Sequence, residues 1–278
     1  MDIRLLVLDI DGTIAGESNN VREPIKSAIK AVQTQGIQVA LATGRMYHSA
    51  LPFYHDIGSQ LPLIAYNGAL IKDPQTDKTY QELSVTPDIA LALLDHLEQP
   101  QFRSRLDVHC YYDDQLYVKE ITLETERYKL RSGAKPVVVP DLRSIAERSS
   151  LKLLVVSQDA TLIQELITHF SDRFNREELH VTQSTEIYLE LTHPQANKGL
   201  AVRHLTEEIL GLTSEQVMAI GDNFNDLEML RYAEIGVAMG NAPPEVQAIA
   251  DWVTIDVEED GVAIAIQKFL LGNRYLQK

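Results

Sequence analysis

Apolar positions follow two rhythms along this 278-residue chain. Near both ends they gather into short runs with few polar interruptions: Leu5–Leu8, Ile37–Ala42, Leu61–Tyr66, Val217–Ile220, Ile235–Met239 and Trp252–Ile255. Such a run suits a strand covered on both faces, as in a parallel sheet. Between the runs, apolar residues recur at helical spacing. Residues 22–36 predict a helix with Pro24 in its first turn, Ile25, Ile29 and Val32 on one face, and Gly36 at its end. Ala201, Leu205 and Ile209 mark another helix, closed by Gly211; Leu227 and Leu230 mark the next. Further helices start at Pro243-Pro244 and at about Asp260. Alternation of strand and helix is the signature of parallel strands joined by crossover helices.

From about Thr86 to His193 the rhythm shortens. Val108–Tyr112 and Leu116–Lys119 flank Asp113-Asp114-Gln115 as a hairpin. A strand over Leu151–Ser157, a helix over Thr161–Phe170, and strands Leu179–Gln183 and Ile187–Leu191 around Ser184-Thr185-Glu186 follow. This middle part reads as a separate α+β unit inserted into the first domain. The chain length suits two domains.

Polar clusters stand where the terminal runs stop. Leu5–Leu8 ends in Asp9-Ile10-Asp11-Gly12, and alternate side chains of a strand share a face, so Asp9 and Asp11 reach one site while Ile10 points away. Thr43-Gly44-Arg45 follows the second run, and Gly221-Asp222-Asn223-Phe224-Asn225-Asp226 follows the run at Val217. Parallel strands present these ends on one edge of the sheet, where open α/β sheets bind ligands. With Lys198 at a helix start, the inventory is carboxylates, a hydroxyl, backbone N–H donors and one cation. That set suits a hard divalent cation such as Mg²⁺ and a phosphoryl group.

Charge and cysteine content narrow the partners. The net charge of −15 argues against a nucleic acid, which needs a basic face. One cysteine, Cys110, rules out an internal disulfide framework and suits a reducing compartment. No apolar stretch is long enough to span a bilayer, and the N-terminus enters a strand carrying Asp2 and Arg4 without a secretory pattern. The expectation is a cytoplasmic protein without a nucleic-acid or membrane partner.

Asp9-Ile10-Asp11-Gly12-Thr13, Ala42-Thr43-Gly44-Arg45, Asn197-Lys198-Gly199 and Gly221–Asp226 resemble, in order, the four motifs of the haloacid dehalogenase superfamily. Tyr66-Asn67-Gly68-Ala69 and Gly236–Ala242 narrow the resemblance to the Cof-type phosphatases, class IIB. The resemblance covers the core at both ends; the inserted part matches in placement and size. It implies a doubly wound, Rossmann-like parallel-sheet core (residues 1–84 and 192–278) with an α+β cap domain at 85–191. It also implies a Mg²⁺-dependent phosphomonoesterase acting on small phosphorylated metabolites, sugar phosphates above all. Asp9 is then the nucleophile and Asp11 the acid and base. Asp9, the Asp11 main-chain carbonyl and Asp222 hold the metal. Thr43, the N–H groups of Ile10 and Gly44, Lys198 and Asn225 hold the phosphate. Asp226 orients Lys198 or the metal's waters.

Plainer readings exist for several of these residues. Lys198 alone is a surface lysine, and Asp226 a first-turn acid favoured by the helix dipole. Arg45 faces the substrate or pairs with a carboxylate. His109, Tyr111 and Tyr112 read as packing or surface, and Cys110 as a small buried hydrophobe. Asp256 departs from the asparagine that many relatives carry there. Two other functions share the same parts: phosphoryl transfer between hydroxyls, as in a mutase, and a phospho-accepting signalling module. Receiver modules are about half this length, and lack both the insert and an acid/base aspartate two residues after the acceptor.

Overall fold

The structure, a computed structural model, describes residues 2–102 and 104–272. The chain opens with β1 (Leu5–Leu8), α1 (Glu23–Thr34), β2 (Gln38–Leu41) and α2 (Tyr47–Asp56), then β3 (Leu63–Ala65), β4 (Leu70–Lys72) and β5 (Thr79–Glu82). Next come α3 (Pro87–Leu97), β6 (Asp107–Tyr112), β7 (Gln115–Val118), α4 (Leu123–Ser132) and β8 (Val137–Val138). They are followed by α5 (Arg143–Ala146), β9 (Lys152–Val156), α6 (Ala160–Arg173), β10 (His180–Thr185) and β11 (Tyr188–Thr192). The last stretch holds α7 (Lys198–His204), β12 (Val217–Gly221), α8 (Leu227–Tyr232), β13 (Ile235–Ala238), α9 (Pro244–Gln247), β14 (Trp252–Val253) and α10 (Gly261–Ile266).

Both ends of the chain build one parallel sheet of order β14-β13-β12-β1-β2. Successive residues of each strand go to opposite faces. Leu6, Leu8, Val39 and Ile220 pack on α1 and α10, while Leu5, Val7, Ala40 and Ala219 pack on α7 and α8. Helices on both faces explain why these strands read as unbroken apolar runs. β1 lies between β2 and β12: the strands run outward from β1 to β2 on one side and from β12 through β13 to β14 on the other. The order therefore reverses at β1, and the crevice beyond its carboxyl end is the binding position of such a sheet.

The run at Leu61 serves two sheets: β3 lies parallel to the end of β2 through the bridge Ala42–Ile64 and pairs antiparallel with β4 in a sheet of order β3-β4-β5. The reason is local: Tyr66, Asn67 and Gly68 have φ of 52°, 55° and 94°, so the chain reverses at once and leaves no room for a crossover helix.

Residues 107–192 supply every strand of a second, six-stranded sheet of order β10-β11-β9-β6-β7-β8. Asp113 and Asp114, at φ 49° and 51°, form the tight β6–β7 turn that a right-twisted hairpin requires. One face buries Cys110, Leu153, Val155 and Leu189 against α3 and α6. The other face turns toward the carboxyl edge of the parallel sheet, and Tyr111, Leu154 and Val156 join the core's apolar cluster. The apolar rhythm does not foretell α4, which is polar nearly all round and buries only Thr125, Tyr128 and Ser132. Its ends are nonetheless written locally: Thr122 Oγ1 accepts the Thr125 N–H at 3.0 Å, and Gly133 leaves the helix at φ 69°.

His109 lies fully buried on β6 between Thr125 and the Tyr128 ring, and among the described residues its Nδ1 has no partner. Burial, helped by the nearby Lys152 ammonium, pushes its imidazole down from 6.5 to about 3. The unfolded chain binds a proton there at higher pH than the folded one. His109 therefore contributes stability above its unfolded pKa and loses it as pH falls from 6.5 toward 3. The expected slope is about 1.4 kcal/mol per pH unit for this one proton. His109→Gln should flatten it, as urea midpoints measured across that range would show; an unchanged slope would clear His109 of the effect.

Candidate active site

Asp9 leaves the end of β1 into the crevice, and its Oδ1 receives the Lys198 ammonium at 2.5 Å. Lys198 opens α7 behind Asn197, whose side chain caps the helix by accepting the Leu200 N–H. The same ammonium reaches Asp226 Oδ1 at 2.6 Å. Asp226 Oδ2 accepts the N–H groups of Asp222 at 2.9 Å and Asn223 at 3.1 Å. Both oxygens of Asp226 thus hold the loop and the lysine. Asp222 stands beside Asp9, steadied by the Thr13 hydroxyl and the Asn241 amide, each at 3.4 Å. Gly12 turns past it at φ 76°, where a Cβ would lie 2.2 Å from Asp222 Oδ2; only glycine passes there.

Ligand oxygens of Asp9, Asp222 and Asp226 lie within 4.8 Å of one another, all buried. One ammonium cannot balance three buried carboxylates. Burial pushes Asp9 up to about 7, against the pull of Lys198, and holds Asp222 well above the usual carboxylate range with Asp9 and Asp226 adding to the effect. Burial alone would lower Lys198; Asp226 and Asp9 outweigh it and hold its ammonium above the ordinary range. An all-oxygen set with excess negative charge fits a hard divalent cation.

Asp11 is turned away from this cluster. Arg45 grips its carboxylate with two bonds, Nε to Oδ2 at 2.7 Å and Nη2 to Oδ1 at 2.8 Å, and Arg131 of α4 adds a third at 3.1 Å. Arg45 also reaches Asn19 Oδ1 at 2.5 Å and lies 4.4 Å over the Phe53 ring. Arg45 thus pairs with a carboxylate, and it also lines the cavity. Burial would raise Asp11, but the two guanidinium groups hold it down to about 2. This carboxylate is therefore ionised near neutral pH.

Of the expected phosphate ligands, Thr43, Gly44 and Asn225 line the crevice, whereas Ile10 and Lys198 lie buried behind it. Thr43 is buried, and its Oγ1 accepts the Arg45 N–H at 3.1 Å. The Ile10 side chain is buried in the core, so its backbone alone can serve the site. Asn225 donates its amide to Asn67 Oδ1 at 3.0 Å. Asp256 caps the turn after it by accepting the Glu258 N–H at 2.8 Å, away from this chemistry.

A cavity of about 160 Å³ connects these groups with Tyr128, Arg131 and Ser132 of α4 and with Lys152, Thr185, Tyr188 and Glu190 of the second sheet. Lys152 and Glu190 form a buried ion pair at 3.0 Å on the neighbouring strands β9 and β11. Lys152 also donates to the Gly44 carbonyl at 3.1 Å, and Asn67 donates its amide to Glu190. Sequence reasoning missed this set. Its signal was a lone charge inside each of two apolar strands, Lys152 in one and Glu190 in the other.

The comparisons agree with this architecture. A family model described as haloacid dehalogenase-like hydrolase matches residues 6–266. The chain is 29% identical to the Bacillus subtilis protein YxeH, across 97% of this chain and 99% of that one. It is 27% identical to the 5-amino-6-(5-phospho-D-ribitylamino)uracil phosphatase YitU of Bacillus subtilis, across 95% and 97%. A haloacid dehalogenase-like hydrolase from Bacteroides thetaiotaomicron superposes with a TM-score of 0.83 at 26% identity, covering 95% of this chain and 98% of that one. Sheet order, inserted domain and sequence match converge: the chain belongs to the haloacid dehalogenase-like hydrolases and is an enzyme of their Cof-type phosphatase group.

Proposed function

We propose that this enzyme is a Mg²⁺-dependent phosphomonoesterase that works through an aspartyl-phosphate on Asp9. The observation that carries the reading is the buried convergence of Asp9, Asp222 and Asp226 around Lys198. Asp9 attacks phosphorus; a bond forms from its carboxylate oxygen as the bond to the ester oxygen breaks. Asp11 gives a proton to the departing oxygen, then takes one from the water that cleaves the aspartyl-phosphate. Its pairing with Arg45 and Arg131 suits the second step, in which it must be ionised. For the first step the proton must arrive with the substrate, and a phosphate monoester near its second ionisation, about pH 6, can bring it. The Thr43 hydroxyl, the N–H groups of Ile10 and Gly44, Lys198 and the Asn225 amide hold the phosphate oxygens. Mg²⁺ held by Asp9, the Asp11 carbonyl and Asp222 would neutralise charge between nucleophile and phosphate.

The substrates are small phosphorylated metabolites, sugar or polyol phosphates. A cavity of about 160 Å³ is too small for a large leaving group, and its far wall offers Ser132, Thr185 and Tyr188 hydroxyls. YitU, by its name, acts on a phosphorylated ribityl compound, which supports the same class. The division into core and cap at 84/85 and 191/192 belongs to this reading, with residues 85–191 closing over the ester to exclude water. Among the described residues no helix is long and apolar enough to cross a membrane, and the charge of −15 is unsuited to nucleic acid.

Phosphate release from a panel of sugar phosphates tests the reading. Activity should require Mg²⁺, and full turnover in excess chelator would overturn it. Saturation with Mg²⁺ at a hundred times its dissociation constant should also stabilise the fold by about 2.7 kcal/mol. Asp222→Asn should lose most of that gain in a thermal melt.

A further inference from the structure

Asp114 plays no part in the chemistry above. It sits at the tip of the β6–β7 hairpin, yet its carboxylate serves the other domain. Oδ1 accepts the Tyr47 N–H at 2.9 Å and the Tyr66 hydroxyl at 2.6 Å. Oδ2 accepts the His48 N–H at 2.9 Å and also faces His48 Nδ1. Tyr47 and His48 open α2, whose own N-cap residue, Met46, has the extended backbone of a cap but makes no side-chain capping bond. Asp114, 67 positions after Tyr47, supplies the missing acceptor, and a carboxylate is matched to a helix N-terminus in charge as well.

The helix capped in this way begins directly after Thr43-Gly44-Arg45. Tyr66 binds Asp114 through its hydroxyl, and its N–H donates to the Arg45 carbonyl at 2.9 Å. The first turn of α2 carries a second contact with the cap: the Ser49 hydroxyl donates to the Ser132 carbonyl at the end of α4. Beside Ser132 is Arg131, whose carbonyl accepts the Asn19 amide at 2.9 Å and whose guanidinium reaches Asp11. The first turn of α2 is thus a docking plate, with Asp114 at one side and the end of α4 at the other.

We infer that Asp114 is a positioning residue. It registers the cap on the first turn of α2 and so sets Arg131, from the cap, and Arg45, from the core, on Asp11. The inference rests on the phosphatase reading in one respect: Asp11 is taken as the proton carrier.

The test uses p-nitrophenyl phosphate, whose leaving group needs no proton, so that a burst reports attack by Asp9 and the later release of phosphate reports the water step, for which the two guanidinium groups hold Asp11. Asp114→Ala should lower the rate of phosphate release about 10-fold, the size of a lost helix cap, and leave the rate of the burst unchanged. In an Asp11→Asn background it should add no further loss. Asp114→Asn, which keeps an acceptor oxygen, should restore most of the rate. Amide exchange at Tyr47 and His48 should rise about 10-fold in Asp114→Ala. A burst slowed as much as phosphate release, losses additive with Asp11→Asn, or unchanged exchange at those two amides would each overturn the inference. If Asp114→Ala does not fold, Tyr66→Phe removes only one donor to Asp114 and should show the same slowed release with an unchanged burst; its absence there is equally decisive. If the wild-type enzyme with Mg²⁺ does not hydrolyse the ester, the phosphatase reading is what has failed, and amide exchange alone decides for or against Asp114.

Discussion

Asp9→Asn should abolish phosphate release while leaving the fold and the phosphate site in place. An amide keeps the size of the carboxylate but cannot attack phosphorus, and removal of a covalent nucleophile costs on the order of 10⁴-fold or more. The surroundings predict that the variant folds. Asp9 is one of three clustered carboxylates, and burial already pushes it up to about 7. Replacing it with a neutral group relieves repulsion with Asp222, and Lys198 keeps its 2.6 Å partner Asp226. In excess chelator the variant should therefore melt no lower than the wild type. Steady-state assays, calorimetric titration with inorganic phosphate and thermal melts check the three parts of this expectation. Near-normal turnover would remove Asp9 as nucleophile, and with it the two-step mechanism.

Lys198→Met is expected to have the largest effect on stability. The ammonium is wholly buried and joins Asp9 at 2.5 Å to Asp226 at 2.6 Å. Methionine fills similar space but leaves two buried carboxylates without their cation. Breaking a buried pair by removing one partner costs about 3–5 kcal/mol, a large part of the roughly 5–15 kcal/mol that holds a domain together. For a chain of this size that corresponds to a fall in Tm of about 10 °C. Activity should fall as well, by about 10²- to 10³-fold, as for loss of a donor to a developing charge. Adding Asp9→Asn to Lys198→Met should recover part of the stability, because one uncompensated charge is gone. Melts in chelator decide the matter. A Lys198→Met protein as stable as the wild type would show that the ammonium does not balance this cluster.

Much of the crevice is legible before any coordinates because of one physical fact. Strands of a parallel sheet covered by helices on both faces must be apolar throughout, so their ends stand out as the first polar residues. Asp9, Asp11, Thr43, Gly44, Asp222 and Asn225 all follow such ends, and the structure lines the cavity with all six. Lys198, read alone, is an ordinary lysine; its burial comes only when α7 packs it between Asp9 and Asp226. Arg131 was not legible, because α4 has almost no apolar face and its position follows from contacts with Asn19 and Ser49 far away in the chain.

The sequence by itself therefore determined the parallel core, the presence of an α+β insertion and the polar strand ends that the cavity gathers. Each follows from local patterning, in which burial on two faces and abrupt polar ends are written residue by residue. Tertiary structure alone decided which side chains the second sheet lends to the crevice and which partners the carboxylates take. Lys152 and Glu190 meet because β9 and β11 pair across some thirty residues of intervening chain, and Asp11 is ionised because Arg45 and Arg131 arrive from two different domains. Electrostatic state depends on what is near in space and hidden from water, and no stretch of sequence carries that information alone.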